Sequence, residues 1–144
     1  MIAVDTNILV YAHRADSPWH RRASECIKTL AEGRSAWAIP WPCLHEFLAI
    51  VTHPRIYAPA SRLDQAIDQV DAWLESPKLS VLGESHDHWN ILKTQALAAR
   101  IVGPTVHDAR IAALCLAHGA RELLTADRDF NRFPDLITRN PLVA

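Results

Sequence analysis

Short apolar runs with the composition of β-strands alternate along the chain with segments of helical periodicity. Strands separated by helices favour a parallel sheet, because each return to the same edge needs a crossover connection. We therefore predict an α/β fold whose parallel sheet is covered by helices on both faces. The predicted strands are Ile2–Val4, Ala36–Ile39, Leu79–Leu82, Glu122–Thr125 and, as a fifth candidate, Leu136–Thr138. The predicted helices are Thr6–His13, Pro18–Glu32, Cys43–Thr52, Arg62–Leu74, His88–Ile101 and Val106–His118.

The length of 144 residues predicts one domain, residues 1–144, with a hydrophobic core large enough to fold without disulfides or metal. Hydrophobic residues make up 49% and charged residues 22% of the chain, which is typical of an ordered globular protein. The formal net charge is −1, so no global basic field attracts nucleic acid. A nucleic-acid partner would have to bind a local surface.

The three cysteines are an odd number and contain no CxxC spacing, which argues against a disulfide framework and a zinc knuckle. The first residues lack a basic segment ahead of an apolar run, so they do not resemble a signal peptide. No run of apolar residues is long enough to cross a membrane. Together these features predict a cytoplasmic protein with reduced thiols and no membrane partner.

Four acidic residues stand where a purely structural sequence has little need of them. Asp5 and Asp127 come directly after predicted strands, and Asp108 lies in the first turn of a predicted helix. Glu46 lies in a helix that is apolar nearly all round, which predicts that this carboxylate is partly buried. In parallel sheets ligands bind beyond the carboxyl ends of the strands, so these acids are candidates for one common site.

Each acidic residue also has a structural interpretation. Asp5 is a suitable N-cap for the helix that follows it, and the segment from Thr105 to Asp108 has the spacing of a capping box. The segment from Thr125 to Asp127 can form a turn held by side-chain hydrogen bonds. Glu46 could pair with an arginine, for which the candidates are Arg55 and Arg110.

Taken together, the acids predict a site for a divalent cation. Neighbouring carboxylates repel one another and raise one another's pKa, and a divalent cation removes that conflict. Mg²⁺ prefers oxygen ligands and often combines one or two carboxylates with substrate phosphate oxygens. Such a site suits phosphodiester hydrolysis. The chain has neither a Gly-rich phosphate loop nor a GxSxG motif, so the NTPase and serine-hydrolase classes lack their signatures.

The acidic segments resemble those of the PIN-domain ribonucleases and, among them, of the VapC-type toxins of bacterial toxin–antitoxin pairs. The matching segments are Ile2-Ala3-Val4-Asp5-Thr6-Asn7, Glu46, His107-Asp108-Ala109-Arg110-Ile111-Ala112-Ala113 and Leu124-Thr125-Ala126-Asp127-Arg128-Asp129-Phe130. Each segment alone is a weak signal. Their order and spacing over almost the whole chain are specific.

The resemblance implies a three-layer α/β/α fold around a central parallel sheet of four to five strands. It also implies an endoribonuclease that depends on Mg²⁺ or Mn²⁺ and hydrolyses RNA. By the same resemblance, Asp5 and Asp108 are the principal metal ligands, and Glu46 and Asp127 complete the catalytic acids by holding metal or activating water.

The supporting positions implied by the resemblance are Thr6, Asn7, Thr125 and Asp129. Thr6 and Asn7 are expected to orient the first acid, and Thr125 to supply a hydroxyl near the fourth. Asp127 is preferred over Asp129 as the fourth acid because it completes a Thr-x-Asp pattern. The resemblance further implies a homodimer and a cognate VapB-like antitoxin that places a basic residue in the acidic pocket.

Two other interpretations of the acidic residues remain open. The chain could be a PIN-like nuclease with a housekeeping role in RNA processing, or a non-catalytic module whose acidic cleft binds a basic peptide. Among the five tryptophans, Trp41 directly precedes the helix that carries Glu46 and is a candidate for stacking on a base.

Overall fold

The strands of the computed structural model, which describes residues 1–143, form one sheet in which all neighbouring strands are parallel. The sheet has five strands in the order β3-β2-β1-β4-β5, so the first strand lies in the centre. The strands are β1 (Ile2–Val4), β2 (Trp37–Pro40), β3 (Leu79–Leu82), β4 (Glu122–Leu124) and β5 (Ile137–Arg139). The predicted parallel α/β architecture is therefore confirmed, including its fifth strand.

Helices cover both faces of this sheet because the path of the chain across the sheet reverses after β3. The path from β1 to β3 moves toward one edge, and the path from β3 to β5 moves toward the other. Right-handed crossovers then place the first four helices on one face and the last two on the opposite face. The helices are α1 (Thr6–His13), α2 (His20–Glu32), α3 (Trp41–Val51), α4 (Leu63–Leu74), α5 (His88–Ala99) and α6 (Val106–Ala117).

The central strands are buried on both sides. Ala3, Val4, Trp37, Ala38 and Ile39 have no exposed surface. Side chains of a strand point alternately to the two faces, so a strand covered on both faces must be apolar at every position. This explains why β1 and β2 have apolar runs without polar alternation.

The ends of several elements differ from the prediction by one or two residues. Helix α3 begins at Trp41, directly after β2, because Pro42 falls in its first turn, where a missing backbone donor costs nothing. Helix α5 ends at Ala99 because Arg100 adopts a left-handed conformation with φ of 52°.

Two further predictions concern the cysteines and membrane spans. All three cysteines are free thiols, and Cys43 and Cys115 are buried. Within residues 1–143, no helix combines the length and the apolar character that crossing a bilayer requires.

Candidate active site

The predicted acids meet at the carboxyl ends of β1 and β4. These two strands are hydrogen-bonded neighbours, but their onward connections lead to opposite sides of the sheet. Such a reversal opens a crevice at the strand ends. Asp5 directly follows β1, and Thr125 directly follows β4, so both residues lie in this crevice.

The Asp5 carboxylate is held by four hydrogen-bond donors. Its Oδ1 accepts from the Thr6 backbone N–H at 2.8 Å and from the Cys43 thiol at 3.6 Å. Its Oδ2 accepts from the Thr125 hydroxyl at 2.7 Å and from the Asn7 amide at 3.2 Å. The side chain is 5% exposed, and its orientation is therefore fixed from all sides.

Asn7 and Thr125 also connect the two loops that follow β1 and β4. The Asn7 Oδ1 accepts a hydrogen bond from the Ala126 backbone N–H at 3.1 Å. The Thr125 Oγ1 accepts one from the Asp127 backbone N–H at 3.0 Å, which is the predicted side-chain turn. The supporting residues thus link the Asp5 carboxylate to the loop that carries Asp127.

Three aspartates converge beside this anchored carboxylate. One carboxylate oxygen each of Asp108, Asp127 and Asp129 lies within 4.8 Å of the other two. Asp127 is held in place because its Oδ1 accepts the Asp129 backbone N–H at 2.9 Å, at the start of the 3-10 turn Arg128–Arg132. Among the described residues, Asp5 and Glu46 do not join this group of three, whereas Asp129 does.

Asp108 is repelled by the other acidic residues of the site. Burial raises the pKa of Asp108 to about 6, and repulsion from Asp127, Asp5, Asp129 and Glu46 adds to the effect of burial. Burial also raises the pKa of Asp5, although its hydrogen bonds from Thr125 and Thr6 oppose that rise. The five carboxylates therefore form one electrostatic unit, which we call the acidic cluster: Asp5, Glu46, Asp108, Asp127 and Asp129.

Glu46 lies at the mouth of the acidic cluster and is exposed. The prediction that helix α3 is buried nearly all round is wrong, because one side of it, including His45 and Glu46, faces outward. Partial loss of hydration and repulsion from Asp5 raise the pKa of Glu46, and the nearby His107 lowers it. Neither Arg55 nor Arg110 forms an ion pair with Glu46, and Arg110 pairs with Glu84 instead.

Of the structural interpretations of the acidic residues, the structure confirms the helix cap at Asp5 but not the capping box at Thr105. Asp5 does cap α1, since its side chain accepts from the backbone of the first helical residue. The predicted capping box at Thr105 and Asp108 is wrong. The Thr105 hydroxyl instead donates to the Val102 carbonyl at 2.6 Å and accepts from the Val102 N–H at 3.0 Å. Asp108 therefore does not take part in a capping box at the start of α6.

The acidic cluster has the composition of a site for a hard divalent cation. Within residues 1–143, no lysine or arginine forms an ion pair with any of its five members. The Thr6 hydroxyl beside it is buried and lacks a hydrogen-bond partner in the same residues. Carboxylate oxygens are the ligands of Mg²⁺ and Mn²⁺. The donor set therefore fits the cation that the sequence predicts.

Two neighbours of the cluster were not anticipated from the sequence. The Cys43 thiol donates to Asp5, and His107 lies close enough to Glu46 to lower its pKa. His107 precedes Asp108, so its place in the acidic motif was a usable signal. Cys43 gave no such signal, because a single cysteine in an apolar helix resembles any small core residue.

Comparison with known proteins identifies the family. The family model of the PIN domain matches residues 2–136. Ribonuclease VapC43 of Mycobacterium tuberculosis is 34% identical over 142 residues, which cover 99% of this chain and 96% of that protein. Ribonuclease VapC33 of the same species is 31% identical over 142 residues, or 99% of each chain.

Solved structures share the fold. One of them is the structure of VapBC2 from Rickettsia felis bound to a DNA fragment from its promoter. A chain of that structure has a TM-score of 0.71 and 24% sequence identity, and the match covers 97% of this chain and 98% of that one. A chain of VapBC-1 from Haemophilus influenzae gives a TM-score of 0.69 at 19% identity, covering 98% of both chains. With the family match over most of its length, the chain belongs to the PIN-domain family and, within it, to the VapC ribonucleases.

Proposed function

We propose that this protein is the toxin of a VapBC-type toxin–antitoxin pair and hydrolyses RNA phosphodiester bonds with Mg²⁺ or Mn²⁺ held by the acidic cluster. The observation that carries the proposal is the convergence of five carboxylates at the crevice between β1 and β4, none of them in an ion pair with a lysine or arginine of residues 1–143. Unpaired carboxylates that repel one another destabilise a fold, so their accumulation points to a ligand that neutralises them.

Asp108, Asp127 and Asp129 are the residues that would hold the cation, since their oxygens already approach one another. A bound divalent cation supplies an activated water and stabilises charge on the phosphate. Asp5 adds a fixed negative charge beside them. A carboxylate offers about four acceptor positions, and four donors already occupy those of Asp5. Direct ligation by Asp5 would displace its weakest donor, the Cys43 thiol at 3.6 Å.

Glu46 is the proposed proton acceptor of the reaction. It is exposed to solvent, and its pKa is raised by partial loss of hydration and by repulsion from Asp5. A carboxylate with a raised pKa takes a proton from an attacking water more readily at neutral pH. Asn7 and Thr125 form hydrogen bonds with the backbone of the loop that carries Asp127, and they also donate to Asp5. They therefore act as positioning residues.

The proposal includes a VapB-like antitoxin that inserts a basic side chain into the acidic cluster, and a homodimer of the toxin. The excess negative charge of the cluster attracts an arginine or lysine when no cation is bound. Solved relatives include VapBC complexes from two bacteria. We place the protein in the cytoplasm, where free thiols such as those of Cys26, Cys43 and Cys115 persist.

Cleavage of total cellular RNA by the purified, antitoxin-free protein tests the proposed function. With MgCl₂ or MnCl₂ we expect discrete fragments, which EDTA and the Asp108→Asn variant abolish. Asp71→Asn, at an exposed position of α4 away from the cluster, is the matched control and should cleave like the wild type. Unchanged cleavage by Asp108→Asn would refute the site. No cleavage by folded wild-type protein that binds Mn²⁺ would favour a non-catalytic interaction module.

A further inference from the structure

Next to the acidic cluster lies a cleft whose residues, apart from Glu46, have no role in the mechanism proposed above. It has a volume of about 300 Å³ and lies between helices α3 and α6. The wall on α3 consists of Pro42, His45, Glu46 and Ala49, and the wall on α6 consists of His107, Arg110 and Ile111. Both sets follow helical spacing, so one face of each helix lines the gap. Glu46 belongs to both the cleft and the cluster, which makes the two continuous.

Arg110 supplies the permanent positive charge of this cleft. Its Nη2 lies 3.1 Å from the Glu84 carboxylate, and the two side chains are 39% and 52% exposed. Ion pairs at this exposure contribute little to stability, so Arg110 can exchange Glu84 for another anion at small cost. The ion pair with Glu84 is made through Nη2. A guanidinium has several donors in a planar fork, so Nη1 and an exchanged Nη2 can bind a phosphate together.

An aromatic surface extends from the wall of the same cleft, because His45 lines the cleft and Trp41 packs beside His45. The Trp41 side chain is 43% exposed although it is one of the largest apolar groups in the protein. Its ring centroid lies 6.0 Å from that of His45, with the two planes inclined by 32°. On another side the indole rests close to Gly83, where an added Cβ would lie 3.5 Å from the Trp41 Cδ1. Trp41 is thus supported by its neighbours while much of the ring stays open to solvent.

We propose that this cleft is a nucleotide subsite: it takes one unpaired nucleotide of the RNA next to the scissile bond, with the base on Trp41 and His45 and the phosphate on Arg110. The inference rests on the proposed function and names a determinant of its substrate. The cleft volume lies at the lower end of the range for small-molecule sites, so it suits one nucleotide. Paired bases are stacked within a helix and cannot enter it, which selects unpaired RNA.

The subsite also answers an electrostatic problem. The acidic cluster repels the phosphates of RNA, and the net charge of the protein offers no general attraction. A positive charge beside the cluster, together with base stacking, which needs no charge, offsets that repulsion locally.

Binding of a short, unstructured, fluorescein-labelled RNA tests the subsite. Fluorescence anisotropy is measured with MgCl₂ in an Asp108→Asn background, in which the RNA stays intact. We expect Trp41→Ala to weaken binding about tenfold. Arg110→Ala should weaken it to a similar extent and reduce the slope of log affinity against log salt by about 0.7, the share of one phosphate contact. Trp41→Ala should leave that slope unchanged.

Matched controls separate the subsite from general effects on the surface. Trp89 is 66% exposed on α5, and Arg62 forms an exposed ion pair with Asp64 on α4, so Trp89→Ala and Arg62→Ala should bind RNA like the background protein. Fully paired RNA of the same sequence should bind all variants equally. Equal weakening by the control variants, or unchanged binding by Trp41→Ala and Arg110→Ala, would overturn the subsite.

Cleavage kinetics in the wild-type background distinguish the two proposals. Trp41→Phe, which keeps an aromatic ring, should retain most of the affinity, whereas Trp41→Ala should raise KM with little change in kcat. If the wild type cleaves RNA and Trp41→Ala leaves KM unchanged, the subsite fails and the proposed function stands. If the wild type cleaves no RNA, the proposed function fails, and the anisotropy comparison still decides the subsite.

Discussion

The two ends of helix α1 hold charged residues in opposite ways. Its N-cap is Asp5, which lies in a cluster of five carboxylates that has no cationic partner among residues 1–143. Its C-cap is Arg14, which is 9% exposed and fully partnered. Each residue is nearly buried, so the contrast does not come from contact with solvent.

Arg14 shows what a structural buried charge looks like. Its guanidinium binds the Asp16 carboxylate with two hydrogen bonds of 2.8 and 2.6 Å, and also donates to the Pro59 carbonyl at 2.9 Å and the Ser61 hydroxyl at 3.2 Å. It lies 4.3 Å from the centre of the Tyr57 ring. These contacts tie the end of α1 to the loop between α3 and α4.

The difference indicates that the charge at Arg14 contributes to stability, whereas the charges of the acidic cluster serve function. Buried charges are tolerated when opposite charges and hydrogen bonds satisfy them, as at Arg14. Carboxylates gathered without a counter-charge raise the free energy of the folded state, as at the acidic cluster. We therefore expect substitutions at the two ends to affect different properties.

The largest expected effect is on catalysis. Asp108→Asn should reduce Mn²⁺-dependent cleavage of RNA by roughly 100-fold or more, because it removes a proposed ligand of the cation. Asp16→Asn removes a carboxylate at the paired end of α1 and should leave cleavage nearly unchanged. A gel assay with end-labelled RNA measures both, and similar losses in the two variants would remove the distinction between the ends.

The next effect is on stability at the paired end. Arg14→Ala should lower the free energy of unfolding by about 2 kcal/mol, because it removes charge-assisted hydrogen bonds and leaves the Pro59 carbonyl without its donor. Arg62→Ala, at an exposed ion pair with Asp64, should lower the free energy of unfolding far less than Arg14→Ala does. Urea denaturation followed by circular dichroism compares them. Equal losses of unfolding free energy in the two variants would show that the buried contacts of Arg14 add no stability beyond that of an exposed ion pair.

A smaller effect is expected at the hydroxyl that joins β4 to Asp5. Thr125→Val keeps the shape but removes the donor to Asp5 and the acceptor for the Asp127 N–H. We expect a loss of about 1–2 kcal/mol in the free energy of unfolding together with weaker cleavage. Thr125→Ser restores the hydroxyl and should recover most of both losses. Failure of serine to recover them would mean that packing of the methyl group matters more than the hydrogen bonds.

The smallest effect has an unusual sign, since removal of an active-site acid should stabilise the metal-free protein. The pKa of Asp108 is about 6 in the folded protein against an ordinary value of 3.8. The folded state therefore holds this proton more tightly, and its stability falls as the pH rises through that interval.

Asp108→Asn has no ionisable group at this position, so its stability is not lowered by ionisation of residue 108. In EDTA above pH 6, and after allowance for solvent screening of a half-exposed group, it should gain about 1 kcal/mol and melt roughly 2–4 °C higher. The gain should vanish below about pH 3, where Asp108 is protonated in both states. Melting curves at both pH values measure it. A variant that melts lower than the wild type at neutral pH would contradict the repulsion inferred for the cluster.

Much of the fold could be predicted from the sequence because local signals agree with the topology. The apolar run Ile2–Val4 and the helix after it were placed correctly, since Asp5 marks the boundary between them. Errors arose where two local hydrogen-bond patterns compete for the same side chain. The Thr105 hydroxyl turns back to Val102, so the capping box that its spacing predicts does not form.

The candidate site was predicted less completely than the fold. The crevice unites Asp5 with the loop of Asp127, as expected from the strand order of a parallel sheet. The choice between Asp127 and Asp129 could not be made from spacing, because a short 3-10 turn brings both toward Asp108. The outward face of α3 was missed because most of its residues are apolar, and an apolar residue such as Ala49 is expected in the core, although it lines a cleft.

Binding of a divalent cation by the acidic cluster is tested most directly by thermal denaturation with increasing MnCl₂. We predict that the melting temperature of the wild type rises with Mn²⁺ concentration, because the ion binds the folded state and cancels the repulsion at Asp108. Asp108→Asn should begin higher in EDTA and respond much less. Parallel curves for the two proteins, or no response of the wild type at millimolar Mn²⁺, would contradict the account.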